Sequence, residues 1–308
     1  MQIRKRIQTG VIVSAVAFAT CASTVRADLT HRYSFTTDAS DSVGGANGTL
    51  QNIATVSGGQ LQFNNPLFSP SSFAGGYLSL PASILPSSGS ATIEQWFTFG
   101  GSGFFTEAYT FSDRNGGANP PGANNGQYLM HTISAPQPAN PPGGPNTGGS
   151  HIGQALSGYA GSLTPPPGPE TDAFGTTPGI GAGGGGGYLD DGGTYMAATV
   201  IDGTAGTLSY YLFRVSDGVG GLQQTIAAVA LGSFHFTDAF LGRSAFSADN
   251  WTSGSVDEFR IYNEARSGAS ILGDFNAGPN SVPEPGSLTL LGSGVLAFFR
   301  RRRSGDVS

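Results

Sequence analysis

The chain has 308 residues, 38% of them hydrophobic and 10% aromatic, enough to build the core of one large or two small domains and too much for a chain disordered throughout. Only 11% are charged, and 49 Gly with 19 Pro favour many short strands joined by turns over helices. Eight of the 14 basic residues lie at the two ends, so that from Asp28 to Gly278 six Arg face 18 Asp and Glu; this formal charge of −12 repels phosphate backbones and argues against nucleic acid as a partner.

At the start, Arg4, Lys5 and Arg6 precede the apolar stretch Val11 to Ala19, and Val25-Arg26-Ala27 precedes Asp28. A basic n-region, a short h-region and small residues before the cut read as a secretory signal peptide over 1–27, cleaved between Ala27 and Asp28. A retained span would need about 20 uninterrupted apolar residues, more than this stretch has. The single cysteine, Cys21, falls inside the signal, which leaves the mature chain without disulfide, zinc-thiolate or cysteine-nucleophile chemistry. Phe18-Ala19-Thr20 is a poor lead into a lipidated cysteine.

The domain region then runs from 28 to 279. Partial alternation of apolar and polar residues predicts strands at His31–Phe35, Gly76–Leu80, Ala91–Phe99, Tyr128–Ile133, Tyr195–Ile201, Thr207–Val215, Thr225–Leu231 and Ser255–Tyr262, most of them bounded by Gly, Asn, Asp or Pro. A Pro- and Gly-rich insertion at about 134–193 interrupts them, either a flexible segment at one rim or a binding lid, with a possible strand only at His151–Tyr159. Helical spacing occurs at Ser267–Phe275, where Ile271, Leu272 and Phe275 share a face and Ser267 can cap the start. The expected fold is all-β, a sandwich of two antiparallel sheets with one short C-terminal helix.

The last residues, 280–308, have three parts in a fixed order. Pro283-Glu284-Pro285 comes first, then the uncharged stretch Ser287 to Phe299, then Arg300, Arg301, Arg302 and Arg303. This tail resembles the PEP-CTERM sorting signal, which implies an exosortase-type membrane protease as a processing partner near Pro283, Glu284 and Pro285. Four arginines stay on the cytoplasmic side, so the preceding domain faces outward. The uncharged stretch reaches only about 20 Å at 1.5 Å per residue, short of a hydrocarbon core of about 30 Å, which suits a transient membrane segment before processing.

Thr30-His-Arg-Tyr-Ser-Phe35, followed by Asp41-Ser-Val-Gly-Gly-Ala-Asn-Gly-Thr-Leu50, resembles the opening of LamG-like domains of the concanavalin A-like lectin and glucanase superfamily. Gly76–Leu80, Ala91-Thr-Ile-Glu-Gln-Trp96, Leu241–Ser244 and Gly254-Ser-Val-Asp-Glu-Phe-Arg-Ile-Tyr-Asn263 follow in the family's order, and Ala265–Ile271 is similar to its closing helix. The resemblance implies a jelly-roll sandwich. Thr194-Tyr195-Met196 departs from the family's Trp-His strand, so no role of that histidine carries over.

Catalysis on this scaffold would need paired carboxylates, and the superfamily's Glu-x-Asp-x-x-Glu or Glu-x-Asp-x-Glu run is missing. Glu94 stands alone and reads as a solvent-facing strand position, Asp190-Asp191 lie in a Gly-rich turn, and Asp257-Glu258 point to opposite faces. No Gly-x-Ser-x-Gly turn occurs, and His31, His131, His151 and His235 lack metal spacing. No catalytic residue is therefore assigned. The resemblance implies a structural calcium at Asp41 and Asp257, with Asp38, Asn47 or Glu258 as supplements, although Asp38 to Ser42 is also ordinary turn sequence. Trp251, with Tyr159 and Tyr188 as weaker candidates, offers a ring for sugar contact, or else Trp251 plugs the end of the sandwich; Trp96 belongs to the core. The expected function is a non-enzymatic module at the outer cell envelope or in the extracellular matrix that binds polysaccharide or a surface protein. A glycan-active hydrolase or lyase, and a matrix filler without a ligand, are the alternatives.

Overall fold

Alternating apolar side chains, punctuated by turn-forming residues, lay this chain out as strands. The computed structural model describes residues 29–67, 69, 74–100, 106–113, 127–134, 157–158, 189, 191–227, 231–245 and 249–281. In chain order the described strands are β1 (Leu29–Tyr33), β2 (Thr49–Gln51), β3 (Thr55–Ser57), β4 (Gln60–Gln62), β5 (Tyr77–Leu80), β6 (Ala91–Gly100), β7 (Thr106–Ser112), β8 (Gln127–Ser134), β9 (Ser157–Gly158), β10 (Asp191–Asp202), β11 (Thr207–Arg214), β12 (Gly220–Ala227), β13 (Asp238–Leu241) and β14 (Gly254–Tyr262). One helix, α1 (Gly268–Ala277), closes the described chain, and the Ser267 hydroxyl accepts from the Ser270 N–H at its start as the sequence predicts.

The strands form two antiparallel sheets. Sheet A runs β12-β11-β10-β6-β14-β4-β3, with β1 also paired to β14, and sheet B runs β2-β5-β13-β7-β8-β9. This is the two-sheet antiparallel sandwich expected from the strand pattern, in the jelly-roll form that the resemblance implies. Its interior is filled by Ile93, Phe97 and Phe99 of β6, Val256, Phe259 and Ile261 of β14, Tyr195 and Ile201 of β10, Tyr109 and Phe111 of β7, and Leu129 and Ile133 of β8. Phe97 stacks at 4.8 Å on Phe99 and at 6.0 Å on Tyr195, which ties β6 to β10 across the sheet.

A bulge sets the outer chemistry of β14. Val256 pairs with Phe97 but Glu258 pairs with Trp96, so Asp257 is the extra residue. Val256 and Phe259 both face the interior, three residues apart, and Glu258, Arg260 and Tyr262 turn to the opposite side. That outer side is not open to solvent. α1 lies over it, and Trp96, Met196, Ala198, Val200, Phe213 and Ile271 form a second apolar cluster beneath the helix. Trp96 is therefore buried, as expected, but in this second layer.

Several strands escape the alternation rule. β7 is buried along its whole length although it carries Thr106, Glu107, Thr110 and Ser112, and a run so polar gives no strand signal. β2, β3 and β4 are three residues each, too short to show a period. β12 begins at Gly220 rather than Thr225, because Gly220 and Gly221 take the place of turn residues inside the ladder, and Leu231 belongs to a 3-10 turn over Leu231–Ser233. Of the expected strand at His151–Tyr159, only Ser157–Gly158 is described, and most of the 134–193 insertion lies outside the described residues.

The interior also holds a histidine. His131 on β8 is fully buried among the rings of Phe97, Tyr109 and Tyr210, at centroid distances of 5.5, 5.6 and 5.8 Å, and neither ring nitrogen has a hydrogen-bond partner. Burial alone drives its pKa down to about 3, so the ring is neutral in the folded state. Unfolding exposes a histidine that takes up a proton below pH about 6.5, so stability is lost as pH falls from there toward 3. His131→Leu removes this term: its chemical-denaturation midpoint should decline less than that of the parent between pH 7 and pH 4.

Candidate functional site

The turn after β1 is organised by Asp41. Its carboxylate accepts the backbone N–H groups of Arg32 (2.9 Å), Val43 (3.1 Å), Gly44 (3.0 Å) and Ala46 (3.0 Å) and lies 2.7 Å from His31 Nδ1. Burial pushes this carboxyl up, but the Arg32, His31, Gly44 and Val43 donors outweigh it and hold the pKa below the usual range. Gly44 is required there, because a Cβ would stand 2.4 Å from His31 Nδ1 and 2.5 Å from the Thr30 carbonyl oxygen. Asn47 Oδ1 accepts the Asp41 N–H, and Asp38 caps its own turn by accepting from Ser40.

These residues do not fit the calcium site expected of them. Both Asp41 oxygens already face N–H donors, and Glu258 is gripped by two guanidinium groups, Arg32 Nε at 2.5 Å and Arg260 Nε at 2.7 Å. Asp257 has a pKa raised by burial and is held by Gln60. Among the described residues no three His, Cys, Asp or Glu side chains gather as metal ligands.

The outer side of sheet A carries a buried ionic chain. Arg260 lies 4.6 Å over the Trp96 ring and pairs with Glu258, and Arg266 lies 4.1 Å over the Tyr262 ring and pairs with Asp274 of α1. Glu94 lies between them, with Arg266 Nε at 3.4 Å, Arg260 Nη1 at 4.0 Å and the Tyr262 hydroxyl donating at 3.2 Å. Glu94 is fully buried. The expectation of a solvent-facing position fails because α1 covers the face that strand alternation assigns to water. Each guanidinium has its own carboxylate, so burial and the Asp274 charge prevail and push the Glu94 pKa up to about 8. Glu94 is the neutral member of the chain at pH 7.

Sheet B presents a different outer surface. Tyr77 of β5 and Phe240 of β13 meet edge-on at 5.5 Å, and Trp251 stacks on Tyr77 at 5.7 Å with 28° between the ring planes. The Arg243 guanidinium lies 4.8 Å from the Tyr77 and Phe240 centroids and 5.6 Å from that of Trp251, and its Nη1 donates to the Tyr77 hydroxyl at 3.0 Å. Trp251 is seated by the backbone of Gly75, where a Cβ would stand 2.2 Å from the indole. Tyr77, Arg243 and Trp251 each remain half-buried, so the cluster is part plug and part surface. Tyr159 and Tyr188 lie outside the described residues.

Arg243 and Trp251 belong to the loop between β13 and β14, and the same loop brings Ser244 and Asp249 to Glu107 of β7. The Gly242 N–H donates to the Ala108 carbonyl, the Thr252 hydroxyl to the Glu107 carbonyl, and the Ser244 hydroxyl to Asp249 at 2.5 Å. Glu107 is buried, and burial together with the nearby Asp249 charge raises its pKa well above the carboxylate range. No motif marks this pair, since 142 positions separate its members and β7 carries no strand signal.

Comparison with known proteins bears on the tail first. Residues 281–303 match the PEP-CTERM protein-sorting motif. The motif residues Pro283, Glu284, Pro285 and Arg300, Arg301, Arg302 and Arg303, like the signal-cleavage residues Ala27 and Asp28, lie outside the described residues. Among those described, no helix is long and apolar enough to cross a membrane. No curated protein matches the chain in sequence. Solved structures similar to it include the binding domain of botulinum neurotoxin serotype D/C (12% identity, TM-score 0.47, covering 81% of this chain and 52% of that one). Lectin II from Ulex europaeus is another (15%, 0.45, 77% and 99%), as is the CBM40 of the Ruminococcus gnavus IT-sialidase bound to alpha2,6 sialyllactose (14%, 0.42, 70% and 96%). The chain spans about half the length of the botulinum neurotoxin chains it resembles.

The Glu94 carboxyl makes a checkable demand on α1. Its folded pKa lies above its unfolded one, so its contribution is complete below pH about 4.5 and is lost as pH rises through about 8. Glu94→Gln keeps the neutral shape at every pH. Its unfolding free energy should therefore decline between pH 6 and pH 9 by a few kcal/mol less than that of the parent, the buried Glu107 carboxyl being common to both.

Proposed function

We propose that the chain is an exported, envelope-associated module that binds carbohydrate without transforming it, through the Tyr77, Phe240, Trp251 and Arg243 cluster on the outer side of sheet B. The carrying observation is the stacked pair of half-buried rings, Tyr77 and Trp251, held by close approach of Gly75 to the indole and by Arg243, whose guanidinium lies over both rings. Rings locked in place offer a flat apolar surface to a sugar face without losing side-chain freedom on binding. The sorting tail supports export and an exosortase-type partner. The sequence resemblance to LamG-like domains supports a glycan or a surface glycoprotein as ligand. A body of net charge −12 favours neutral polysaccharide over acidic polymers, so binding is insensitive to salt.

A second reading has one observation in its favour. Glu107 is a buried carboxyl whose pKa is raised by burial and by the charge of Asp249, and two carboxyls held apart in pKa can divide acid and base roles in glycoside hydrolysis.

One set of measurements separates the two. On a polysaccharide array the parent should bind neutral glycans, and Trp251→Ala and Tyr77→Ala, both checked for an intact thermal transition, should weaken binding about tenfold or more. Unchanged affinity in both variants would remove the platform from the argument. New reducing ends that disappear in Glu107→Gln would replace binding with hydrolysis.

A further inference from the structure

The segment joining the sandwich to the sorting tail is not a loose linker. α1 ends at Gly278, whose N–H donates to the carbonyls of Asp274 and Phe275, and the chain turns back so that the Ser281 N–H and hydroxyl both donate to the Gly278 carbonyl, the hydroxyl at 2.8 Å. Arg260 then reaches out from under the helix. Its Nη2 donates to the Pro279 carbonyl at 2.6 Å and to the Ser281 carbonyl at 2.7 Å. The guanidinium is itself immobile, because it is fully buried, bonded through Nε to Glu258 and laid over Trp96. The matched sorting motif begins at Ser281, the last residue so held, and Pro283 follows two residues later, at most about 7 Å of extended chain away.

We propose that Arg260 is a latch that holds the head of the sorting tail on the folded sandwich, and that processing of the tail passes through release of this latch. The inference rests on the reading of the tail as a protease-processed signal. A protease takes its substrate as several extended residues on both sides of the bond it cuts, and a backbone whose carbonyls are hydrogen-bonded in a turn cannot be drawn into that shape. Cutting near Pro283 to Pro285 therefore waits for local opening of Pro279 to Ser281, and its rate follows the population of the opened turn. Arg260 acts here as a positioning residue and touches no scissile bond.

The test uses the full chain, expressed in a host that carries the processing protease, with four forms compared: the parent, Arg260→Lys, a Gly-Ser-Gly-Ser-Gly-Ser insertion between Ser281 and Val282, and both changes together. Pulse-chase should show Arg260→Lys processed about tenfold faster, as expected from losing charge-assisted bonds. The insertion should also be faster, and the combined form no faster than the insertion alone, because the longer tether bypasses the latch. An insertion that leaves the rate unchanged, or two accelerations that multiply, would overturn the proposal. If no form is processed, the protease reading fails, and hydrogen exchange decides the latch by itself. In the purified chain the Ser281 amide should then exchange about tenfold faster in Arg260→Lys than in the parent, with the β6 amides unchanged; equal exchange at Ser281 would refute the latch.

Discussion

The arrangement of this molecule depends on one buried cation. A guanidinium at Arg260, shut away from water in the outer layer of sheet A, is tolerable only if its charge is matched and most of its donors are filled. Glu258 supplies the charge and bonds Nε, Trp96 offers a ring face, and the carbonyls of Pro279 and Ser281 accept from Nη2, while Nη1 has no hydrogen bond among the described residues and lies 4.0 Å from Glu94. Those partners come from β14, β6 and the segment after α1, so satisfying Arg260 requires the helix to lie where it does. Arg266 repeats the device one step along, between Tyr262, Glu94 and Asp274. Such pairs add little net stability compared with an apolar layer, but they admit a single placement of the helix.

Much of this was legible in the sequence, and the residues show why. Gly254–Asn263 and Ala265–Ile271 stood out because the structure needs their order: the bulge at Asp257 lets Val256, Phe259 and Ile261 face the interior while Glu258, Arg260 and Tyr262 take the other side. The opening turn was legible for the same reason, since Asp41, Gly44 and Asn47 bond to one another and their neighbours. In this turn backbone N–H groups face the Asp41 oxygens that the resemblance offers to a metal. Glu94 was misread because alternation along a strand says which residues share a face and is silent about what covers it. Trp251 drew notice as an aromatic residue in a polar loop, but its partners Tyr77 and Phe240 come from distant strands that only sheet B brings together. Glu107 could not be found by motif, because its neighbour comes from another loop.

The two outer sides of the sandwich have separate duties. That of sheet A is closed by α1 and gives rise to the tail, while that of sheet B carries the half-buried rings. Arg260 and Tyr77 lie on opposite sheets and point outward, so the last described residues, Pro279 to Ser281, sit on the side away from the aromatic cluster.

The position of β14 has a mechanical consequence for a body tethered through its C-terminus. Tension applied beyond Ser281 is borne first by the Arg260 bonds and then by α1, which can unwind turn by turn and absorb extension. Only afterward does the load reach β14, a central strand bonded on one edge to β6 and on the other to β1 and β4. Pulling such a strand along its axis strains many backbone bonds at once instead of unzipping them singly. A weak spring in series with a strong clamp lets the body yield under drag without coming apart.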